Sequence, residues 1–497
     1  MSDLFIPLEQ AERDLLAGAA FIAERIRSSD GHAEAMASII PHYLEKGEVD
    51  LSAELANAIG DPHSRDRLLS LVAEKCARIN DDEYAIQLAE AIEDHGLQSE
   101  VFERLGAVKA SQGNTSAALE IAELMNHPDF VYAAVAVDQA ARGDGEGAFD
   151  TLSKIEFHTA LCTGIQSIAA GHIDKEEFDT AVKWLDQAID AADEIEHTEE
   201  RIRSLAEIGN QFIEAKRNDR AIQVFDRARG YAEASESGQK DFLLVTAAIG
   251  FLHAGEAELA DDTLDLVHDT TQMASALTAF ARDAWQREDK DDALETLEEA
   301  YAIINSQRDK EIRDSRARNA VMASIAAQFA AFGRAERGVE IARNNPDPQQ
   351  TVAALTQIVQ LLTLQKNDQA ARDTMLEIED ESSRVSALIV MSDAKKRIDD
   401  SEGAIALLDE ASSLAETVPQ FVGRSALLND ISRRYARHDR KEKVRELAVQ
   451  NLQAIREIRD ESSRAAAMAS LSQVYAEAGI SPGEAELSIL EMIVRTA

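Results

Sequence analysis

The sequence predicts an all-α protein, a right-handed α-solenoid of about thirteen antiparallel helix pairs, and three observations predict it. Helix formers such as Ala, Leu, Ile, Glu and Arg dominate, while only 8 prolines and 23 glycines punctuate the 497 residues. Apolar residues recur at helical spacing, as in Leu68, Leu69, Leu71, Val72 and Cys76, and no alternating run long enough for a strand stands out. Short polar or Gly-containing breaks return with a period, each between two amphipathic segments: Gly47, Asn80-Asp81-Asp82, Gly113, Gly143-Asp144, Gly255, Gly333 and Asn367-Asp368.

At the start of the chain, residues 7–27 can form one amphipathic helix from Pro7 to Arg27. Residues 1–33 are therefore expected to be a capping helix and 34–497 the repeat array. Within the array a small residue follows most breaks. That column reads Ala53, Ala85, Ala118, Ala148, Ala181, Ala221, Ala260, Ala293, Gly338, Ala371, Ala404, Val444 and Ala485, with steps from 30 residues (Ala118 to Ala148) to 45 (Ala293 to Gly338). A period of this length indicates units that cannot bury their apolar faces alone and must stack. Long units follow Ala181, Ala221, Ala293, Ala404 and Val444. Their extra residues continue the apolar period, for example Ala188, Ile189, Ala192 and Ile195, so the second helices are expected to lengthen into ridges rather than carry loose loops.

Two further features mark the array. Asp380-Glu381-Ser382-Ser383-Arg384 recurs as residues 460–464, with Asp61-Pro62-His63-Ser64-Arg65 a looser copy. Serine there is expected to accept the N–H groups that open the next helix; a phosphosite is the sharper alternative. At the end, Leu487, Ile489, Leu490, Met492, Ile493 and Val494 make the last helix apolar on most faces, with no polar cap after it. Either this helix folds into the previous unit or it supplies a self-association surface.

The units resemble tetratricopeptide repeats. In the best one, Leu205, Ile208, Gly209 and Phe212 lie on the first helix and Ala221, Phe225 and Ala228 on the second, in the family's order of large, small and aromatic positions. Phe102, Leu105, Gly106, Gly113 and Ala118 repeat much of it, as do Leu244, Ala248, Phe251, Gly255 and Ala260, and Met322, Ile325, Ala326, Phe329 and Gly333. The family's first-helix tryptophan is almost everywhere Leu, Met, Phe or Tyr. The resemblance implies that the second helices form an outer wall and that the first helices line a concave groove that reads peptides.

Composition narrows the function. With 92 Asp+Glu against 51 Lys+Arg the net charge is -41, so a nucleic acid would meet a field of its own sign. An apolar content of 45% excludes a disordered chain. The opening residues carry no basic and apolar export signal, and no run of about 18 apolar residues exists to span a membrane. The expectation is a cytoplasmic protein without membrane or nucleic-acid partners. Cys76 and Cys162 are expected to be separate core thiols. No phosphate loop, nucleophile elbow or metal-ligand spacing occurs, so no cofactor, metal or catalytic residue is nominated. Gly143-Asp144-Gly145-Glu146-Gly147 is read as an inter-helix turn. His63, His95, His127, His158 and His197 sit at unit boundaries, as solvated turn residues or, more sharply, pH sensors. Trp184 and Trp285 are read as core before recognition anchors.

The groove positions offer one candidate site. In one unit they form a smooth apolar strip of Ala323, Ala327, Ala330 and Ala331. Further on they include Lys396, Arg397, Arg433 and Arg437, with Lys395, Arg434, Arg440, Lys441 and Lys443 around them. Guanidinium groups suit bidentate capture of carboxylate or phosphate, and Asp393, Asp399, Asp400, Asp430 and Asp439 are the counter-charges that could instead consume them. The expected function is a non-catalytic scaffold that binds a protein or peptide, with an acidic one indicated by these cations. The alternatives are an α/α-helical enzyme acting on a glycan or lipid, which would require a closed ring, and a regulator of this repeat type acting in trans. An open array is expected.

Overall fold

The computed structural model describes residues 5–306 and 315–496; residues 307–314 and Ala497, which the expected array 34–497 includes, lie outside the described residues. Its elements are twenty-eight α-helices, with no strand among the described residues. Two short helices come first, α1 (Leu8–Ala11) and α2 (Leu15–Ala23). Thirteen pairs follow. The first seven are α3 (Ser29–Lys46) with α4 (Val49–Asn57), α5 (Pro62–Arg78) with α6 (Asp82–Glu90), α7 (His95–Ser111) with α8 (Thr115–Glu123), α9 (Asp129–Ala141) with α10 (Gly145–Leu152), α11 (His158–Asp174) with α12 (Phe178–Asp193), α13 (Thr198–Glu214) with α14 (Asn218–Ala234), and α15 (Lys240–Ala254) with α16 (Ala257–Leu264). The last six are α17 (Thr270–Gln286) with α18 (Lys290–Asn305), α19 (Ser315–Ala331) with α20 (Ala335–Arg343), α21 (Pro348–Leu364) with α22 (Asp368–Leu376), α23 (Glu381–Arg397) with α24 (Ser401–Ala415), α25 (Phe421–Arg437) with α26 (Lys441–Glu457), and α27 (Glu461–Ala478) with α28 (Glu484–Arg495). Successive pairs pack as in a helical solenoid. The chain divides into two compact units, one of Met1–Val101 with Leu355–Ala497 and the other of Phe102–Ala354.

Every pair turns in the same way. The first helix ends in one left-handed residue, glycine at 47, 113, 143, 255, 333 and 479, and Asn80, Glu176, Lys216, Glu288, Lys366, Asp399 or Asp439 elsewhere, with φ between 56° and 90°. The next residue donates its N–H to the carbonyl five positions back, as Asp81 does to Cys76 and Arg440 to Tyr435, which satisfies the orphan carbonyls of the helix end. In twelve of the thirteen pairs that same residue is the N-cap of the second helix; in the last, Gly483 takes that place before α28. Asp81, Asn114, Asp144, Asp289, Asn367 and Asp400 accept from their own first turn, so the Gly143–Gly147 stretch is an inter-helix turn with Asp144 as its cap.

The small column lies on the second helices, and twelve of its thirteen members are buried. The exception is Ala485, which is exposed; beside it Glu486 is buried, accepting from the Gly483 N–H and the Tyr475 hydroxyl. The five long second helices α12, α14, α18, α24 and α26 have 15 to 17 residues, against 8 or 9 in α4, α6, α8, α10, α16, α20 and α22. In the best-matching unit the ring of Phe225 on α14 fills the space left by Gly209 on α13 and Gly250 on α15. A Cβ at either glycine would stand 2.5 or 2.4 Å from that ring.

Polar clamps fix one pair against the next. Asp66, Asp129 and Asp241, early in first helices, each accept two backbone N–H groups 27 and 28 residues on, at the entry to the following first helix. Arg201, Arg424 and Arg464 reach back to the carbonyls of Ile195, Val418 and Ile458. The repeated Asp-Glu-Ser-Ser-Arg segment caps a helix, but its serine is not the acceptor. Asp380 and Asp460 are the N-caps and accept from the N–H of Ser383 and Ser463, both at 2.7 Å. Hydrogen bonds from the serines hold both carboxyls below the usual range.

The ends of the chain depart most from expectation. The N-terminal segment is two helices, because Asp14 breaks the run and caps α2 by accepting from the Ala17 N–H. All nine residues of α2 are buried, and within its unit α2 packs against both α3 and α27. It therefore covers the last pair as well as the first. Ser462 on α27 donates to Glu34 on α3 at 3.0 Å, and Arg495 on α28 pairs with Glu12 at 2.6 Å. In α28, Ile489, Leu490, Ile493 and Val494 are buried against α26, α2 and α1, leaving Met492 exposed. The apolar face read as a possible self-association surface is thus covered by the chain's own first helices, and within this unit the first and last pairs are in contact. Burial of Leu15, Leu16, Phe21 and Ile22 in this contact is favourable by roughly 1.5–3 kcal/mol per side chain before ordering costs.

The Phe225 packing makes a prediction with a change of sign. Alanine for glycine inside an exposed helix ordinarily stabilises by about 0.5–1 kcal/mol, and Gly230→Ala on α14, with open space at its Cβ, should do so. Gly209→Ala and Gly250→Ala should instead cost about 1–3 kcal/mol, and less in a Phe225→Leu background. Denaturant midpoints check this; a stabilising Gly250→Ala would contradict the close contact.

A candidate cationic edge at the ends of two first helices

The four expected site residues all lie in the unit that contains both chain ends, on two first helices. Lys396 and Arg397 form the last turn of α23, and Arg433 and Arg437 lie on the last two turns of α25. The structure separates them into two roles. Arg433 is half-buried and tied to the next first helix. It donates to Gln473 Oε1 at 2.7 Å and lies 3.6 Å from Glu477 and 3.7 Å from Asp430. It joins α25 to α27 and is withdrawn from the exposed set.

Lys396, Arg397 and Arg437 are exposed. Lys396 Nζ donates to the carbonyl of Arg437 at 3.5 Å, which brings the C-terminal ends of α23 and α25 together. No ion pair occupies Lys396 or the guanidinium groups of Arg397 and Arg437 among the described residues, and the same holds for Arg440 and Lys441 at the start of α26. Lys441 Nζ lies 3.8 Å from where a Cβ on Gly479, just past α27, would stand. His438 registers the convergence: burial lowers its pKa first, and Lys396 and Arg440 lower it further against the opposing Asp393. Cations at helix C-termini also complement the helix dipole, which helps to explain their tolerance at close quarters.

The counter-charges divide in the same way. Asp393 pairs with Arg434 at 3.0 Å, Asp430 with Arg434 and Arg433, and Asp400 with Lys395. Lys395 is 9% exposed and bridges Asp400 and Asp368. Burial opposes its charge, but the two carboxylates outweigh burial and raise its pKa. Lys443 pairs with Asp409 and Glu446. Asp399 and Asp439 hold the left-handed turns and carry no ion pair among the described residues. Ion pairing thus consumes Lys395, Arg433, Arg434 and Lys443, and leaves Lys396, Arg397, Arg437, Arg440 and Lys441 as the exposed positive edge.

Other nominated positions sort by burial. Of the expected apolar strip, Ala323, Ala327 and Ala330 are packed inside as helix contact and Ala331 is half-buried. Trp285 stacks on Phe332 with centroids 4.3 Å apart. Cys76 and Cys162 are buried free thiols, and burial pushes both up to about 11. In the other unit a trough of about 460 Å³ runs along first helices α7, α9 and α11, floored by Ala107, Ala133, Ala134, Val137 and Gly164. Among the described residues no group of three or more His, Cys, Asp or Glu is placed to hold a metal ion, and no helix is long and apolar enough to cross a membrane.

No family model matches the chain, and no curated protein matches it. Solved structures do. Ton1535 from Thermococcus onnurineus NA1 is 14% identical with a TM-score of 0.26, over 72% of this chain and 98% of that one. A signal transduction ATPase with numerous domains and a tetratricopeptide repeat sensor, PH0952 from Pyrococcus horikoshii, is 13% identical with a TM-score of 0.27, over 64% of this chain and 54% of that one. A circular tandem repeat protein with novel repeat topology is 13% identical with a TM-score of 0.15, over 94% and 88%. At these scores none of the three bears on what this chain binds.

Proposed function

We propose that the protein is a non-catalytic, cytoplasmic interaction scaffold of degenerate tetratricopeptide type that binds an acidic segment of a partner protein on its first-helix side. The observation that carries this reading is the edge of Lys396, Arg397, Arg437, Arg440 and Lys441, without carboxylate partners in a chain of net charge -41. Counter-charge is abundant in this chain, and neighbouring Lys395, Arg433, Arg434 and Lys443 are all supplied with it. Cations left over in such surroundings are suited to a carboxylate from outside, and the two arginines to a bidentate grip. The trough along α7, α9 and α11 gives the other unit a first-helix surface suited to an extended chain. One observation favours an α/α enzyme acting on a glycan or lipid: the packing of α2 on α27 brings the ends of the array together. Turnover of an oligosaccharide or lipid ester by the purified protein would replace the scaffold reading.

Two measurements test the site. In fluorescence anisotropy with a labelled Glu-rich peptide ending in a free carboxylate, Arg397→Glu with Arg437→Glu should weaken binding at least tenfold at about 0.15 M salt, with the unfolding midpoint unchanged. Equal binding by variant and parent would remove the edge as a site. Arg433→Ala should behave oppositely. Losing the tie to α27 should cost on the order of 1 kcal/mol in a denaturant titration, whereas Arg437→Ala should stay within about 0.5 kcal/mol; equal losses would refute the division of roles.

A further inference from the structure

A step in the outer wall carries a second surface, wholly inside the unit of Phe102–Ala354. α10 has 8 residues and α12 has 16, so the last two turns of α12, about 12 Å of helix, have no second helix beside them on the α10 side. The gap is a cradle of about 410 Å³. Its floor is apolar: Leu152 at the end of α10 and Ile155 after it, Leu161 and Ile165 on α11, and Ala191 on α12. At its rim Phe149 is 57% exposed. Phe157, next to the rim residue His158, is also exposed and meets exposed Phe130 edge-to-face at 6.1 Å. Apolar side chains so exposed and so clustered mark a contact surface.

The charges on α12 say what fits. Asp186 and Asp193, on the flank toward long α14, pair with Arg220 and Arg227 at 2.5 and 2.6 Å. Asp190 and Glu194, one turn apart on the cradle flank, are exposed and have no ion-pair partner among the described residues. α10 ends too soon to supply the basic residues that α14 supplies on the other side. We infer that the cradle docks a two-turn basic amphipathic helix of a partner protein, its Leu, Ile or Phe side chains on the apolar floor and its Lys or Arg between Asp190 and Glu194. Such a helix takes the place in the wall where α10 stops, at ordinary helix-packing distance.

The test uses the full chain and a fluorescein-labelled 14-residue helical peptide with a Leu/Phe face flanked by Lys, read by anisotropy at about 0.15 M salt. Saturable binding is expected, weakened at least tenfold by Asp190→Lys with Glu194→Lys and by Phe149→Ser, whose exposed ring can be removed without unfolding α10. Asp261→Lys with Asp265→Lys, an equally spaced acidic pair at α16 outside the cradle, should leave binding unchanged. The proposal is overturned if that control weakens binding equally, if the same peptide with Glu for Lys binds as well, if the parent does not bind at 100 μM, or if sedimentation shows the cradle variants changing only self-association.

Discussion

One left-handed residue per helix pair governs the rest of this structure. It closes the first helix thirteen times, and in twelve of the pairs it hands its neighbour the cap position of the second helix. Seven of these residues are not glycine, so the local backbone cost at Glu176 or Lys216 is borne by the contacts that follow it. Those contacts require small residues. A buried alanine or glycine in nearly every second helix, and the glycines facing Phe225, let the pair approach closely enough to share one apolar layer.

A repeat built this way leaves an apolar face at each end of the array. The chain resolves this with its own N-terminus: α2 is buried on every side, lies on α27 and α3, and leaves α28 to pack behind α26. The exposed Ala485 and buried Glu486 follow from that shift, because α28 meets a different surface from the other second helices. Stability of the first and last pairs is therefore one property of one unit.

Much of this was legible in the residues. The column from Ala53 to Val444 placed twelve pairs in register, and the continued apolar period after Ala181, Ala221, Ala293, Ala404 and Val444 identified the five long helices. Turns were read at Gly47, Asn80, Gly113, Gly143, Gly255, Gly333 and Asn367; of the others, Glu176, Lys216 and Glu288 have a left-handed backbone with no compositional mark. The end contact was hidden because α2 is apolar on all faces, and a helix without a polar stripe does not show in one dimension which partners cover it. In the candidate site, charge pattern found the cationic edge, but only spatial pairing could separate Arg433, fixed to Gln473, from Arg437.

The same separation gives the surfaces their opposite characters: cations left without counter-charge where α23 and α25 end and α26 begins, and carboxylates left without cations where α10 falls short of α12. The first of them lies in the unit that the chain's own first helices complete. Native-state hydrogen exchange on the full chain tests that completion most directly. The amides of α2 and α27 should open with the same free energy and the same denaturant dependence, as parts of one cooperative core. Exchange of α2 at the rate of an unprotected chain end, while α27 stays protected, would contradict it.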